Sequence, residues 1–142
     1  MNKFLHLQEY GWCEIQIGDF KSRASYLTDV PIDCLEAAIQ YIDYHQPIEL
    51  HFDAEGWDVY VTGYDQNTLI RHTRTNSSEM EHIVLDDVNA LDLAKQIYAD
   101  IAYDIEGWTD FLFTFDDMER QKHLHEIERL VQELKAALRR GM

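Results

Sequence analysis

Two histidines near the end of the chain are the first residues to consider for chemistry. His123 and His125 stand beside Glu126, and such a group could bind a metal ion. Residues two apart on a helix are separated by about 200°, whereas helical zinc pairs use a spacing of four so that both imidazoles face one ion. The spacing therefore predicts that the histidines point apart, as solvent-facing neighbours of Glu119 and Arg129, and that no metal binds there.

Two pairs of adjacent carboxylates are the next candidates. Asp86-Asp87 and Asp116-Asp117 could act in acid/base catalysis or bind a hard cation. Each pair precedes a predicted helix, where carboxylate oxygens accept hydrogen bonds from free backbone N–H groups, and neither is accompanied by a glycine-centred calcium loop. We therefore expect both pairs to cap helices.

Short catalytic and cofactor-binding motifs are absent from the sequence, which has no GxSxG, Walker, GxGxxG or HExxH pattern. The two cysteines, Cys13 and Cys34, lack a metal-ligand spacing, which favours reduced, buried thiols without a disulfide. The sequence thus predicts no catalytic residue, no cofactor and no metal ion. A small enzyme with a dispersed Asp/His/Tyr site, for example a hydrolase, stays open because catalytic groups need proximity in space and not in sequence.

The charge is strongly acidic and unevenly distributed. Twelve Lys and Arg against 27 Asp and Glu give a net charge of −15. Residues 1–117 carry 6 basic and 23 acidic side chains, whereas residues 118–142 carry 6 basic and 4 acidic ones. Such an excess of carboxylates opposes binding to nucleic acid or to an anionic membrane and attracts a basic protein instead. Alternatively, the charge serves only to keep the protein in solution.

The periodicity of apolar residues predicts an α+β fold in the order ββα-ββββ-αα, with an antiparallel sheet and helices on one face. One domain, 1–142, is expected because no linker or repeat interrupts this order. The predicted strands are 12–17, 20–27, 48–53, 57–65, 68–74 and 82–85. The predicted helices run from Asp29 to about His45, from Asn89 to about Glu106 with Gly107 as its C-cap, and onward from Asp116. The conformation of the aromatic segment 107–115 is left open.

The predicted strand pair around Gly56 has two chemically different faces. Alternation directs one set of side chains into the core: Ile48, Leu50, Phe52, Val59 and Val61. The opposite face mixes carboxylates with tyrosines, whose rings give contact area at low entropy cost. We take it as a candidate partner-binding face made of Glu49, His51, Asp53, Asp58, Tyr60 and Tyr64, together with Thr62. The alternative is an ordinary solvated face of a one-sided sheet.

The last predicted helix carries an apolar stripe with a spacing of three and four. Its residues are Leu124, Ile127, Val131, Leu134 and Leu138. The stripe could form a homo-oligomer seam, but about two heptads are short for an independent coiled coil. Packing against the domain's own sheet is the favoured alternative.

Two short stretches carry a resemblance to known proteins. Gly18-Asp19-Phe20 and the segment Ser25–Pro31 resemble a pattern in uncharacterised small acidic bacterial proteins, some of them similar to toxin-immunity proteins. The resemblance implies a bacterial binder with an acidic surface; the matching stretches contain no diagnostic catalytic residue, and no site is assigned from them. Because Met1–Glu9 lacks the apolar run of a secretory signal and no later segment is long enough to span a bilayer, a cytoplasmic location without membrane contact is expected. The sequence therefore favours an immunity or inhibitor protein that binds a basic partner, such as a nuclease toxin.

Overall fold

A computed structural model describes residues 1–141 and contains seven strands and four helices within them. The strands are β1 (Leu5–Leu7), β2 (Trp12–Ile17), β3 (Phe20–Ser25), β4 (Ile48–Asp53), β5 (Trp57–Gly63), β6 (Thr68–Arg74) and β7 (Glu81–Leu85). The helices are α1 (Val30–Tyr44), α2 (Ala90–Tyr103), α3 (Ile105–Thr109) and α4 (Asp117–Arg140).

The predicted α+β class and element order are confirmed, with the strands divided between two antiparallel sheets. One sheet has the order β1-β2-β3 and the other, which we call sheet B, has the order β4-β5-β6-β7. The helices pack together, with α1 also contacting β4 and α2 contacting β1. Buried residues of both sheets and of the helices form one hydrophobic cluster, in which the rings of Phe4 and Phe52 meet edge to face at 6.0 Å.

Several predicted boundaries differ from those of the structure. The strand β1 was not predicted, and its three residues pair with β2. The second helix ends at Tyr103, because Asp104 has non-helical dihedral angles (φ −146°, ψ 68°) and begins a separate short helix. The carboxylate of Asp104 accepts a hydrogen bond from the backbone N–H of Gly107 at 2.9 Å. Gly107 therefore lies inside α3, and its predicted role as the cap of the preceding helix is wrong.

One of the two predicted aspartate caps is confirmed. The Asp116 side chain accepts from the Glu119 N–H at 2.8 Å, and the Glu119 side chain accepts from the Asp116 N–H at 3.3 Å, which completes a capping box on α4. The prediction for Asp86-Asp87 is wrong. Asn89 caps α2 instead, and its side-chain oxygen accepts from the Asp92 N–H at 2.8 Å. Asp86 and Asp87 lie two or three residues further from the first turn.

Replacing Asp116 by alanine should lower the free energy of unfolding by about 1 kcal/mol, because the Glu119 N–H loses its acceptor. Asp117→Ala is the matched control, since it removes the same charge from an exposed neighbour and loses only about 0.5 kcal/mol of interaction with the helix dipole. Urea unfolding measures both values. Equal losses in the two variants would contradict the capping role.

The carboxylate of Asp100 is a buried polar joint between the N-terminal segment and α2. Its Oδ2 accepts from the backbone N–H groups of Phe4 and Leu5 at 2.8 and 2.9 Å, and its Oδ1 accepts from Gln96 Nε2 at 2.8 Å. The backbone carbonyl of Asp100 also accepts from Trp108 Nε1 at 3.3 Å. One residue therefore fixes the entry to β1 and the position of α3.

A second buried polar joint is formed by His123, which was predicted to face solvent. Its Nδ1 lies 2.9 Å from the carbonyl oxygen of Thr109, and its Nε2 lies 3.0 Å from Oδ2 of Asp29, the residue that caps α1. The prediction is wrong because position 123 is one turn before Ile127 and thus shares the buried face of α4. His125 is exposed, so the prediction that the two histidines point apart is confirmed.

The apolar stripe of α4 lies within the chain's own core. Ile127, Val131, Leu134 and Leu138 are buried and Leu124 is half-buried. The helix packs against α1, α2 and α3, so helices rather than a sheet cover the stripe.

The two cysteines are buried and unpaired. Burial raises the pKa of the Cys13 thiol to about 12 and the pKa of Cys34 well above its usual value. Neither thiol is thus a ready nucleophile near neutral pH. Over residues 1–141, no helix combines the length and apolar composition of a membrane span.

Candidate protein-binding face

Sheet B separates its side chains by alternation, as the sequence predicts. All five residues predicted for the inner face, Ile48, Leu50, Phe52, Val59 and Val61, are buried. On the other side, which we call the outer face, His51 lies opposite Tyr60, and Asp53 lies opposite Asp58. Residues opposite one another across antiparallel strands have side chains close enough to interact.

An aromatic and cationic ladder crosses three strands of the outer face. His51, Tyr60 and Arg71 are in register on β4, β5 and β6. The imidazole and phenol rings are stacked at 4.7 Å with an interplanar angle of 13°, and the guanidinium carbon of Arg71 lies 5.0 Å from the Tyr60 ring centroid. Each ring is thereby held by a neighbour, so the Tyr60 ring has little rotamer freedom to lose when a partner binds.

The carboxylate of Asp58 is oriented by two hydrogen-bonding side chains. His51 Nε2 lies 2.8 Å from Oδ1, and the Thr75 hydroxyl donates to Oδ2 at 3.1 Å. His51 keeps 43% of its side chain exposed and Asp58 keeps 19%. The pair is therefore fixed in place yet accessible to a partner.

The turn between β4 and β5 places a second carboxylate beside the first. Oδ1 of Asp53 accepts from the Glu55 N–H at 2.8 Å. Glu55 and Gly56 have φ values of +53° and +120°, and the latter is a conformation that favours glycine. The turn holds Asp53 directly opposite Asp58.

Five of the six predicted residues therefore share one face: Glu49, His51, Asp53, Asp58 and Tyr60. Glu49 is exposed and lies opposite Thr62, which is buried although it was expected to project with the others. Tyr64 stands apart, one residue beyond the end of β5. The residue is 42% exposed, while its backbone N–H donates to the Asn67 carbonyl and its own carbonyl accepts from the Ala90 N–H. The role of the six predicted residues in partner binding remains a prediction.

Arg71 is the member of this face that sequence reasoning missed. The strand pairing of β6 was predicted, but the candidate face was built from β4 and β5 alone. Continuing the alternation across the next two strands would have found Arg71 on β6, and His82 and Val84 on β7. The outer face therefore combines three carboxylates with a cation instead of being uniformly acidic.

Another carboxylate near this face is crowded by like charges. The pKa of Asp33, in the first turn of α1, is raised to about 6, first by burial and then by the charges of Asp29 and Glu36, while His51 opposes the rise. A cationic side chain brought to this edge would relieve that repulsion.

A groove of about 970 Å³ lies on the inner side of sheet B, where the helices do not cover it. Its wall is aromatic, since His72 is stacked on Trp57 at 4.7 Å and meets Phe20 edge to face at 5.5 Å. This groove could not be predicted from the sequence, because Phe20 and the other two rings come from different sheets.

No metal-binding geometry occurs in the part of the chain that the structure describes, where no three His, Cys, Asp or Glu residues are grouped closely enough to hold an ion. Comparison of the chain with protein-family models, with curated proteins and with solved structures finds no match. The function of the chain is therefore inferred from its own residues.

Proposed function

We propose that this chain is a non-catalytic binding protein of the immunity or inhibitor type, which acts in the cytoplasm and binds a basic protein through the outer face of sheet B. The ladder of His51, Tyr60 and Arg71 beside oriented carboxylates is the observation that carries the proposal, with His51 exposed and the other two side chains half-buried. Aromatic and arginine side chains are enriched among residues that dominate binding energy. Their rigidity lowers the entropy cost of association.

The sign of the partner's charge follows from the sign of this chain. A protein with net charge −15 repels acidic partners at long range and attracts basic ones. Complementary charge mainly raises the association rate, and salt screens it. Binding through this face should therefore weaken as the salt concentration rises.

The proposal is tested by retention of proteins from a lysate of the native host on the immobilised chain. We expect the wild type to retain a basic protein at low salt and to release it at high salt. The variant Glu49→Gln/Asp53→Asn/Tyr60→Ser should retain it at least about tenfold more weakly, because charge and an anchoring ring are lost. The Asp53→Asn substitution removes the charge but keeps a side-chain oxygen that can accept from the Glu55 N–H, so the turn is preserved.

The matched control is Asp117→Asn/Glu128→Gln, which removes two charges from exposed positions on α4. It should retain the partner nearly as well as the wild type. The proposal fails if no basic protein is retained, or if both variants lose it equally.

A second candidate function is hydrolysis, which the pairing of His51 with Asp58 favours. A carboxylate that orients an imidazole is a common arrangement for a general base. A panel of ester and phosphodiester substrates tests this alternative. A rate that His51→Gln abolishes would support it, and equal rates in wild type and variant would exclude it.

A further inference from the structure

Strand β7 is a free edge of sheet B. Among the strands of residues 1–141 it pairs only with β6, and Glu81, His82 and Val84 are exposed, with Val84 at 56%. Every second residue of an edge strand directs its N–H and C=O groups away from its neighbour, so such an edge can pair with an added strand. Peptides bind in this way when side-chain pockets beside the edge supply specificity.

The aromatic groove lies directly beside this edge. Its lining includes Glu81, Ile83 and Leu85, which are the inward-facing residues of β7. Trp57, 40% exposed, stands across the groove. A strand added to β7 would direct every second side chain into the groove and the others onto Val84 on the outer side.

The charges around the edge favour a basic strand. Residues 75–94, which include β7, contain no Lys or Arg. Glu79 and Glu81 lie before the centre of this strand, and Asp86 and Asp87 follow its end. Among the described residues, none of these four carboxylates forms an ion pair.

The groove itself holds three carboxylates, since Asp19 joins Glu79 and Glu81. They face two cations, Lys21 and Arg74, and the Arg74 guanidinium already covers one side of the Trp57 ring at 5.2 Å. An entering Lys or Arg side chain therefore meets unpaired negative charge on the β7 side.

We propose that β7 accepts an extended segment of the basic partner as a fifth strand of sheet B, with Lys or Arg side chains in the groove and apolar side chains over Val84. This inference rests on the proposed function and specifies how that partner binds. The added strand would satisfy the free backbone groups of β7 while its cations neutralise Glu79 and Glu81.

The probe is a blocked seven-residue peptide in which Lys and Val alternate. We expect it to bind and to slow hydrogen exchange of the outward-facing amides of β7 specifically. A peptide with the same side chains and all backbone amides N-methylated should bind at least tenfold more weakly, because it cannot donate to the edge. A peptide with Glu in place of Lys should not bind.

Charge variants locate the site. Glu79→Gln/Glu81→Gln should weaken binding of the Lys-Val peptide at least tenfold and reduce its salt dependence. The control Glu126→Gln/Glu128→Gln on α4 should not change it. Equal binding of the N-methylated peptide, or unchanged exchange at β7 with peptide bound, would overturn the inference.

Retention of the host partner separates the two proposals. If the outer-face variant loses the basic protein while Glu79→Gln/Glu81→Gln retains it fully, the proposed function stands and strand addition is wrong. If the wild type retains no basic protein, the proposed function itself fails.

Discussion

Replacing Asp100 by alanine should lower the free energy of unfolding by about 4 kcal/mol, because two buried backbone amides lose their acceptor at about 1–3 kcal/mol each. Removing a buried carboxylate also ends its own desolvation cost, but three donors already compensate that cost here. The unpaired N–H groups of Phe4 and Leu5 therefore make the substitution destabilising overall. An apolar residue such as leucine cannot rescue them.

Urea unfolding of two further variants isolates this effect. Asp100→Asn keeps an oxygen that can accept from both amides, so its loss should be about half that of alanine. Asp92→Ala, on the same helix, removes a carboxylate from the first turn and should cost at most about 1 kcal/mol. If Asp100→Ala loses no more free energy of unfolding than Asp92→Ala does, the proposed role of the Asp100 carboxylate is wrong.

The second large effect is a dependence of stability on pH that originates at His123. Burial alone would lower the pKa of this imidazole, but its hydrogen bond to Asp29, the charge of that carboxylate and the Thr109 carbonyl together raise the pKa above its usual value. Asp110 adds to the rise. Protonation thus favours the folded state. Its contribution is complete below the unfolded pKa of about 6.5 and is lost as the pH rises through the raised folded pKa.

His123→Gln should therefore cost about 2 kcal/mol near pH 6, the value of a hydrogen bond to a charged group, and less above the folded pKa. Gln is neutral at every pH, so it neither supplies the charged donor to Asp29 nor titrates. Urea unfolding between about pH 5.5 and 9 gives the free energy of unfolding of the wild type and of the variant at each pH. His125→Gln, at an exposed position of the same helix, is the control and should follow the wild type. Parallel profiles for wild type and His123→Gln would show that the imidazole does not titrate with folding.

Periodicity predicted the outer face well because alternation and register are local properties of the sequence. Leu50 and His51 differ by one position, and a shift by one residue would exchange their faces, so burial of one side fixes the pairing. Capping was predictable at Asp116 for the same reason, since the cap and its partner Glu119 are three residues apart.

The buried polar joints could not be predicted from local patterns. Asp100 contacts residues 95 and 96 positions away, and His123 contacts Asp29 across 94 positions. A signal was present in each case, because both polar residues occupy the apolar face of a helix, one turn from Ile97 and Ile127. A polar residue on such a face indicates a buried partner but does not identify it.

The division into two sheets and the groove also depend on distant contacts. Alternation shows which strands have a buried face but not which strands share a sheet when connections are long. Phe20 and His72 meet across 52 positions, and the sequence gives no register between their strands. The groove at β7 was therefore visible only in three dimensions.

A photo-crosslinking phenylalanine analogue in place of Tyr60 tests the binding face most directly, with the same analogue at the exposed Gln132 of α4 as control. Irradiation in the native host should trap a basic protein from position 60 and leave position 132 without that product. Trapping of the same protein from both positions, or no adduct from position 60, would contradict the assignment of the outer face as the surface that binds a basic partner.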